Sequence, residues 1–179
     1  MSGGKNWDMI SRLNHWVIGL AMIGMFGFGV YLHEFVPSGP EKGFLIGKHK
    51  AVGVLILIFG LWRVGYRLAQ GFLADASPMP KWQSVTAKVV HWVLLISVIA
   101  MPLSGLLGSY FGGRDIDVFG LFTVYGAMEP SKGAAEAFMG MHGTFAKVML
   151  GALVLHVLGA YKHHLIDKDD TLKRMLGRS

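Results

Sequence analysis

The run AFMGMHGTFAKVMLGALVLHVLGAY, Ala137–Tyr161, decides how this chain is read. Lys147 is its only formal charge, and as a helix it is long enough to cross a hydrocarbon core about 30 Å thick. Two histidines interrupt it, His142 and His156. Hydrocarbon offers no water to satisfy ring nitrogens, so an imidazole inside a span is costly and marks function. The two lie fourteen residues apart, which at about 100° per residue returns them to within roughly 40° of one face and separates them by about 21 Å along the axis. They define two levels on one stripe.

Working outward, three further apolar stretches give spans at about 10–33, 46–68 and 86–110, with the fourth at 138–162. The composition agrees: 53% hydrophobic, 16% charged and a mean hydropathy of +0.47 lie outside the balance of a soluble domain. The fold class is therefore all-α, an integral membrane four-helix bundle forming one domain over 1–179. The first apolar stretch is too long for a cleavable signal and lacks a small-residue cleavage site, so it is expected to stay. The link Glu34–Lys42, with Pro37 and Pro40, reads as a short turn, and Ala69–Lys81 carries Ser77, Pro78 and Pro80. The outer loop 111–137 alternates Arg114, Asp115 and Asp117 with Phe119, Leu121, Phe122 and Val124, which suits a segment lying over the bundle mouth. A short surface helix is expected near Ser131–Phe138.

Charge sets the orientation. The net +6 could suggest nucleic acid, but the cations sit at span ends with no basic run, so a nucleic-acid partner is not expected. With both termini on one side, that side holds eleven Lys and Arg, from Lys5 and Arg12 to Arg178, against six on the other. The termini are expected to be cytoplasmic, which in a bacterium means a multi-pass protein of the inner membrane with its other face periplasmic. Cysteine is absent, so disulfides, thiolate metal sites and c-type thioether links are excluded. Metal chemistry must rest on the eight histidines.

Four of these form two depth-matched pairs. His15 sits at the level of His156, and His49 at that of His142. Facing neutral imidazoles suit the axial positions of a six-coordinate haem iron housed in a bundle, so two haems are expected, the inner on His15 and His156 and the outer on His49 and His142. Gly19, Gly53 and Gly143, close to these histidines, would let a flat macrocycle approach the backbone. His33, beside Glu34 at a span end, reads as an interfacial anchor. A histidine-lined metal or proton transporter has little support, since no Asp or Glu is buried in the spans.

The chain resembles the bacterial cytochrome b561 family, and specifically its small stand-alone members of the superoxide oxidase type. The resemblance rests on Arg12-Leu13-Asn14-His15-Trp16, Gly47-Lys48-His49, Trp62-Arg63, His91, Met101-Pro102-Leu103-Ser104-Gly105 and Phe119-Gly120-Leu121. It continues through His142, His156, His163-His164, Lys168-Asp169-Asp170-Thr171-Leu172 and Arg174-Met175. It implies two haem b groups on the four histidines, superoxide as electron donor at the outer face and ubiquinone as acceptor nearer the cytoplasm. The outer link departs from the pattern, reading Phe122-Thr123-Val124-Tyr125 amid several glycines.

Within that frame His91, His163 and Trp16 are candidate quinone contacts, because an imidazole can hydrogen-bond a quinone carbonyl and deliver a proton. His91 also remains the rival ligand at the inner level. Lys48 and Lys50 flank His49 and Lys147 follows His142, so cations gather where they could steer an anion such as superoxide or neutralise propionates. Arg12, Arg63 and Arg67 could serve propionates on the inner side. The other functional class is a membrane-anchor cytochrome that passes electrons between a partner dehydrogenase or hydrogenase and the quinone pool.

Overall fold

In the computed structural model of the chain, residues 7–71 and 79–178 are described; Lys5, Ser77 and Pro78, used above, lie outside them. Four long helices account for most of these residues: α1 Met9–Glu34, α2 Pro40–Gln70, α3 Lys81–Phe111 and α4 Lys132–Tyr161. Each is long enough and apolar enough to cross a membrane. The starts follow local chemistry. Asp8 caps α1 by accepting the Ser11 N–H at 2.9 Å, Pro40 opens α2 where its missing N–H costs nothing, and the Ser131 side chain accepts from Ala134 N at the head of α4.

The helices outrun the expected spans because their charged and polar ends continue the helix beyond hydrocarbon depth. No separate surface helix exists at Ser131–Phe138: those residues cap and open α4, since nothing between Glu136 and His142 breaks the helix. The outer loop is correspondingly shorter than 111–137. It folds as a hairpin of β1 Ile116–Val118 and β2 Phe122–Val124, antiparallel with Ile116 opposite Val124. Buried Ile116 and Val118 pack against Val54 of α2 and Leu106 of α3, so the hairpin does lie over the bundle mouth. Tyr161 runs into a π-helical turn, Lys162–Asp167, and a last short helix, α5 Thr171–Leu176, follows.

Packing follows chain order: α1 lies on α2, α2 on α3, and α3 most extensively on α4. Between α4 and α1 the backbones are less closely approached, and side chains bridge the space. Midway along the bundle Ile18, Met22, Ile56, Val98, Met101 and Met149 form a buried apolar cluster drawn from all four helices. Met149 stands seven residues from both His142 and His156, so this plug separates the two histidine levels.

Candidate functional site

At the outer level the rings of His49 on α2 and His142 on α4 stand with centres 6.2 Å apart. At the inner level His15 on α1 and His156 on α4 are 6.0 Å apart. A metal–imidazole bond is about 2.0–2.1 Å and the nitrogen lies about 1.1 Å from its ring centre, so rings sharing one metal end to end have centres roughly 6.3 Å apart. Both pairs are spaced for a shared metal.

The outer level is built on α3 around Pro102. His142 Nδ1 donates to the Met101 carbonyl at 2.8 Å, and the Ser104 hydroxyl donates to the same oxygen at 2.7 Å. With Nδ1 carrying the proton, Nε2 keeps its lone pair for a ligand. Pro102 has no N–H for the Val98 carbonyl one turn back, and Gly60 lets α2 close on that point: a Cβ there would stand 2.7 Å from Val98 Cγ1 and 3.2 Å from its oxygen. A Cβ on Gly105 would stand 3.0 Å from His142 Nδ1, so the ring rests on bare backbone. His49 leans on Gly29 in the same way, at 3.4 Å, and its buried Nδ1 has no partner among the described residues. Gly19, Gly53 and Gly143 face open space, with nothing within 4 Å of an added Cβ.

At the inner level Arg63 Nη2 meets His15 Nδ1 at 3.2 Å, and Trp16 stands edge-on to the His15 ring at 5.3 Å. Trp16 Nε1 donates to the Met175 carbonyl, tying α1 to α5. His91, exposed on α3, has its ring centre 5.5 Å from that of His156. Three imidazoles thus meet here, with His156 between the other two. Ser11 Oγ, Arg12 Nε and Asn14 Oδ1 are buried nearby on α1 without partners among the described residues, a set of polar atoms suited to a polar edge of a bound group. Arg67 is otherwise engaged: buried, it lies 3.9 Å over the Trp7 ring and bonds the Gly71 carbonyl.

The remaining histidines separate clearly. His33 is exposed and pairs with Glu34 at 2.8 Å, and His164 is exposed. His163 is held at Nδ1 by Asp169, 2.7 Å away, with Asp167 at 3.3 Å. On the outer side Lys48 Nζ sits 5.1 Å from the ring centres of both Phe44 and Phe119, Lys50 is half-buried, and Lys147 is exposed. The Met101 carbonyl, Gly29, Ser11 and Asp169 received no role from the sequence. Met101 and Asp169 stood in the stretches that carried the resemblance; a carbonyl's acceptor role and a buried carboxylate's partner have no signature in a single sequence.

A four-helix membrane bundle with two levels of paired imidazoles, parted by an apolar plug, has the layout of a membrane electron-transfer cytochrome. Residues 6–178 match the family described as prokaryotic cytochrome b561. The chain is 33% identical over 184 residues to cytochrome b561 homolog 2 of Escherichia coli (strain K12), covering 98% of this chain and 93% of that one. It is 26% identical to cytochrome b561 homolog 1 of the same organism, over 92% of this chain and 93% of that one. It is 28% identical to a probable superoxide oxidase, CybB, of Yersinia pestis, over 96% of each chain. The chain belongs to the prokaryotic cytochrome b561 family, membrane b-type cytochromes that transfer electrons.

Proposed function

We propose that this protein holds two haem b groups, one at each histidine level, and passes electrons from superoxide at the outer face to ubiquinone beside the inner level. The observation that carries the reading is the two imidazole couples, with ring centres 6.2 and 6.0 Å apart, the outer couple resting on the bare backbone of Gly29 and Gly105. A haem at each level would supply one-electron redox chemistry at its iron.

The residues fit that group. His49 and His142 would hold the outer one, His142 with its proton already committed to the Met101 carbonyl. His15 and His156 would hold the inner one. His91 is exposed, whereas His15 and His156 are partly buried, so His91 is assigned to the substrate side. Arg63 can only donate, so its contact with His15 Nδ1 requires that nitrogen to accept. Ligation through Nε2 calls for the proton on Nδ1, which releases Arg63 to a carboxylate such as a porphyrin propionate. Lys48 and Lys50 beside His49 would raise the local concentration of an anion that cannot enter hydrocarbon. The same donor is named in the probable superoxide oxidase of Yersinia pestis, 28% identical to this chain.

The overall conversion takes two superoxide ions, one quinone and two protons to two dioxygen molecules and one quinol. The protons are expected from the cytoplasmic side, where His91, His163 and Trp16 would meet a quinone arriving through lipid, in an inner membrane with both termini cytoplasmic. The test uses the purified single chain in detergent with a superoxide source and a soluble ubiquinone analogue. Rapid reduction of the haem bands and quinol formation are expected. A chain inert to superoxide, yet reduced by a co-purifying dehydrogenase or hydrogenase, would replace this reading with that of a membrane anchor.

A further inference from the structure

After Tyr161 the helix widens into a π-turn, a form that is rare and concentrated at functional sites. It ends at Lys168 in the left-handed region (φ 55°), and the Asp169 N–H bonds back to the His163 carbonyl at 3.1 Å. This reversal carries the Asp169 carboxylate back under His163. The Asp169 side chain is 6% exposed and that of His163 16%, against 29% for Asp167. One Asp169 oxygen takes His163 Nδ1 at 2.7 Å, and the other accepts the Thr171 N–H at 2.9 Å, where α5 begins. The same α5 holds Trp16 through the Met175 carbonyl, and Trp16 packs on His15. The carboxylate is thus fixed from both sides and linked through α5 to the wall of the inner level.

His163, Asp167 and Asp169 present three ligand atoms within 4.8 Å, the size of a metal site. Lys162 Nζ, however, lies 2.6 Å from Asp167 Oδ2, so that acid already has a cation, and the arrangement is a network of ion pairs.

We infer that Asp169 is a positioning residue for quinone reduction: it fixes the His163 ring with Nδ1–H on its carboxylate, leaving Nε2 as the nitrogen that hands a proton to a quinone oxygen. The inference rests on the reading of His163 as a quinone contact. In the step, a doubly protonated ring gives its Nε2 proton to the quinone oxygen as an electron arrives from the haem side, and a new O–H bond forms. Nδ1–H stays on Asp169, and Nε2 takes its next proton from cytoplasmic water. Two such transfers with two electrons complete the quinol.

Asp169→Asn tests this with little change of shape. The amide oxygen still accepts from Thr171, but its NH2 group then faces Nδ1 as a donor, and the ring is held in the wrong tautomer. Pre-reduced protein is mixed with a soluble ubiquinone analogue and haem reoxidation is followed in stopped flow. We expect the rate at saturating quinone to fall roughly 10- to 100-fold, with half-saturation changed less than about threefold and haem content intact. Asp169→Glu should recover part of the rate. If His163→Ala is slow while Asp169→Asn reacts at the wild-type rate, the positioning role is overturned and the quinone reading stands. If His163→Ala itself reoxidises normally, the quinone reading fails and the inference with it.

Discussion

Gly105→Ala gives a sharp test of the outer level. The added methyl would stand 3.0 Å from His142 Nδ1 and 3.1 Å from Cε1, against an ordinary contact of about 3.5–4.0 Å, so ring or helix must yield by about half an ångström. The yielding ring is the one whose Nδ1 is bonded to the Met101 carbonyl at 2.8 Å, so tilting it strains the bond that keeps Nε2 aimed at a ligand. Overpacking of this size costs about 1–3 kcal/mol, which corresponds to roughly 5- to 150-fold weaker haem binding at the outer level. Helix propensity acts the other way, since alanine favours a helix interior by about 1 kcal/mol over glycine. Helical content should therefore persist while outer haem affinity drops. Haem titration of the apoprotein, followed at the Soret band, reads both levels, and Gly133→Ala, where an added Cβ meets nothing within 4 Å, is the control. Unchanged binding of two haems by Gly105→Ala would refute the proposal that His142, held by α3, is one of the residues that would hold the outer haem.

Further outcomes follow from the same geometry. Exchanging Lys48 and Lys50 for glutamate should slow superoxide-driven haem reduction and reverse its salt dependence at unchanged haem content; stopped-flow traces at two ionic strengths decide this. Partial burial pushes the Asp8 carboxyl up, but hydrogen bonds from Ser11 and Tyr66 outweigh this and hold it below its usual 3.8. Its cap on α1 is therefore fully present above that value and lost as pH falls through the lower folded value. Asp8→Ala should cost about 0.5–2 kcal/mol in detergent denaturation at pH 7, and the difference from wild type should vanish in strong acid. Met149→Ala should open the plug between the levels and lower stability by about 2–5 kcal/mol, while spectra of both haems persist.

Much of this was legible in the sequence. The spans follow from long apolar stretches, and the two histidine levels follow from the fourteen-residue interval between His142 and His156, because helix rise and twist are fixed quantities. The hairpin was legible only as a covering segment: strands of three residues, Ile116–Val118 and Phe122–Val124, are too short to show a period. The opening of α4 was misread as a separate helix because polarity at Lys132 and Glu136 marks leaving hydrocarbon, not leaving the helix. The partners of the histidines were hidden for another reason. The Met101 carbonyl, the bare backbone at Gly29 and Gly105, and the carboxylate of Asp169 act through position, and contacts between residues dozens of places apart appear only once the helices are packed.

The central claim is that two irons sit between two specific histidine pairs, and the haem-to-protein ratio of four single alanine variants measures it most directly. His49→Ala and His142→Ala should each lose the same haem, identified by its midpoint in a redox titration, and keep the other. His15→Ala and His156→Ala should each lose the second haem and keep the first. If a variant of His49 lost the haem that is also lost in His156→Ala, or if the wild-type chain bound one haem, the two-level account would be contradicted.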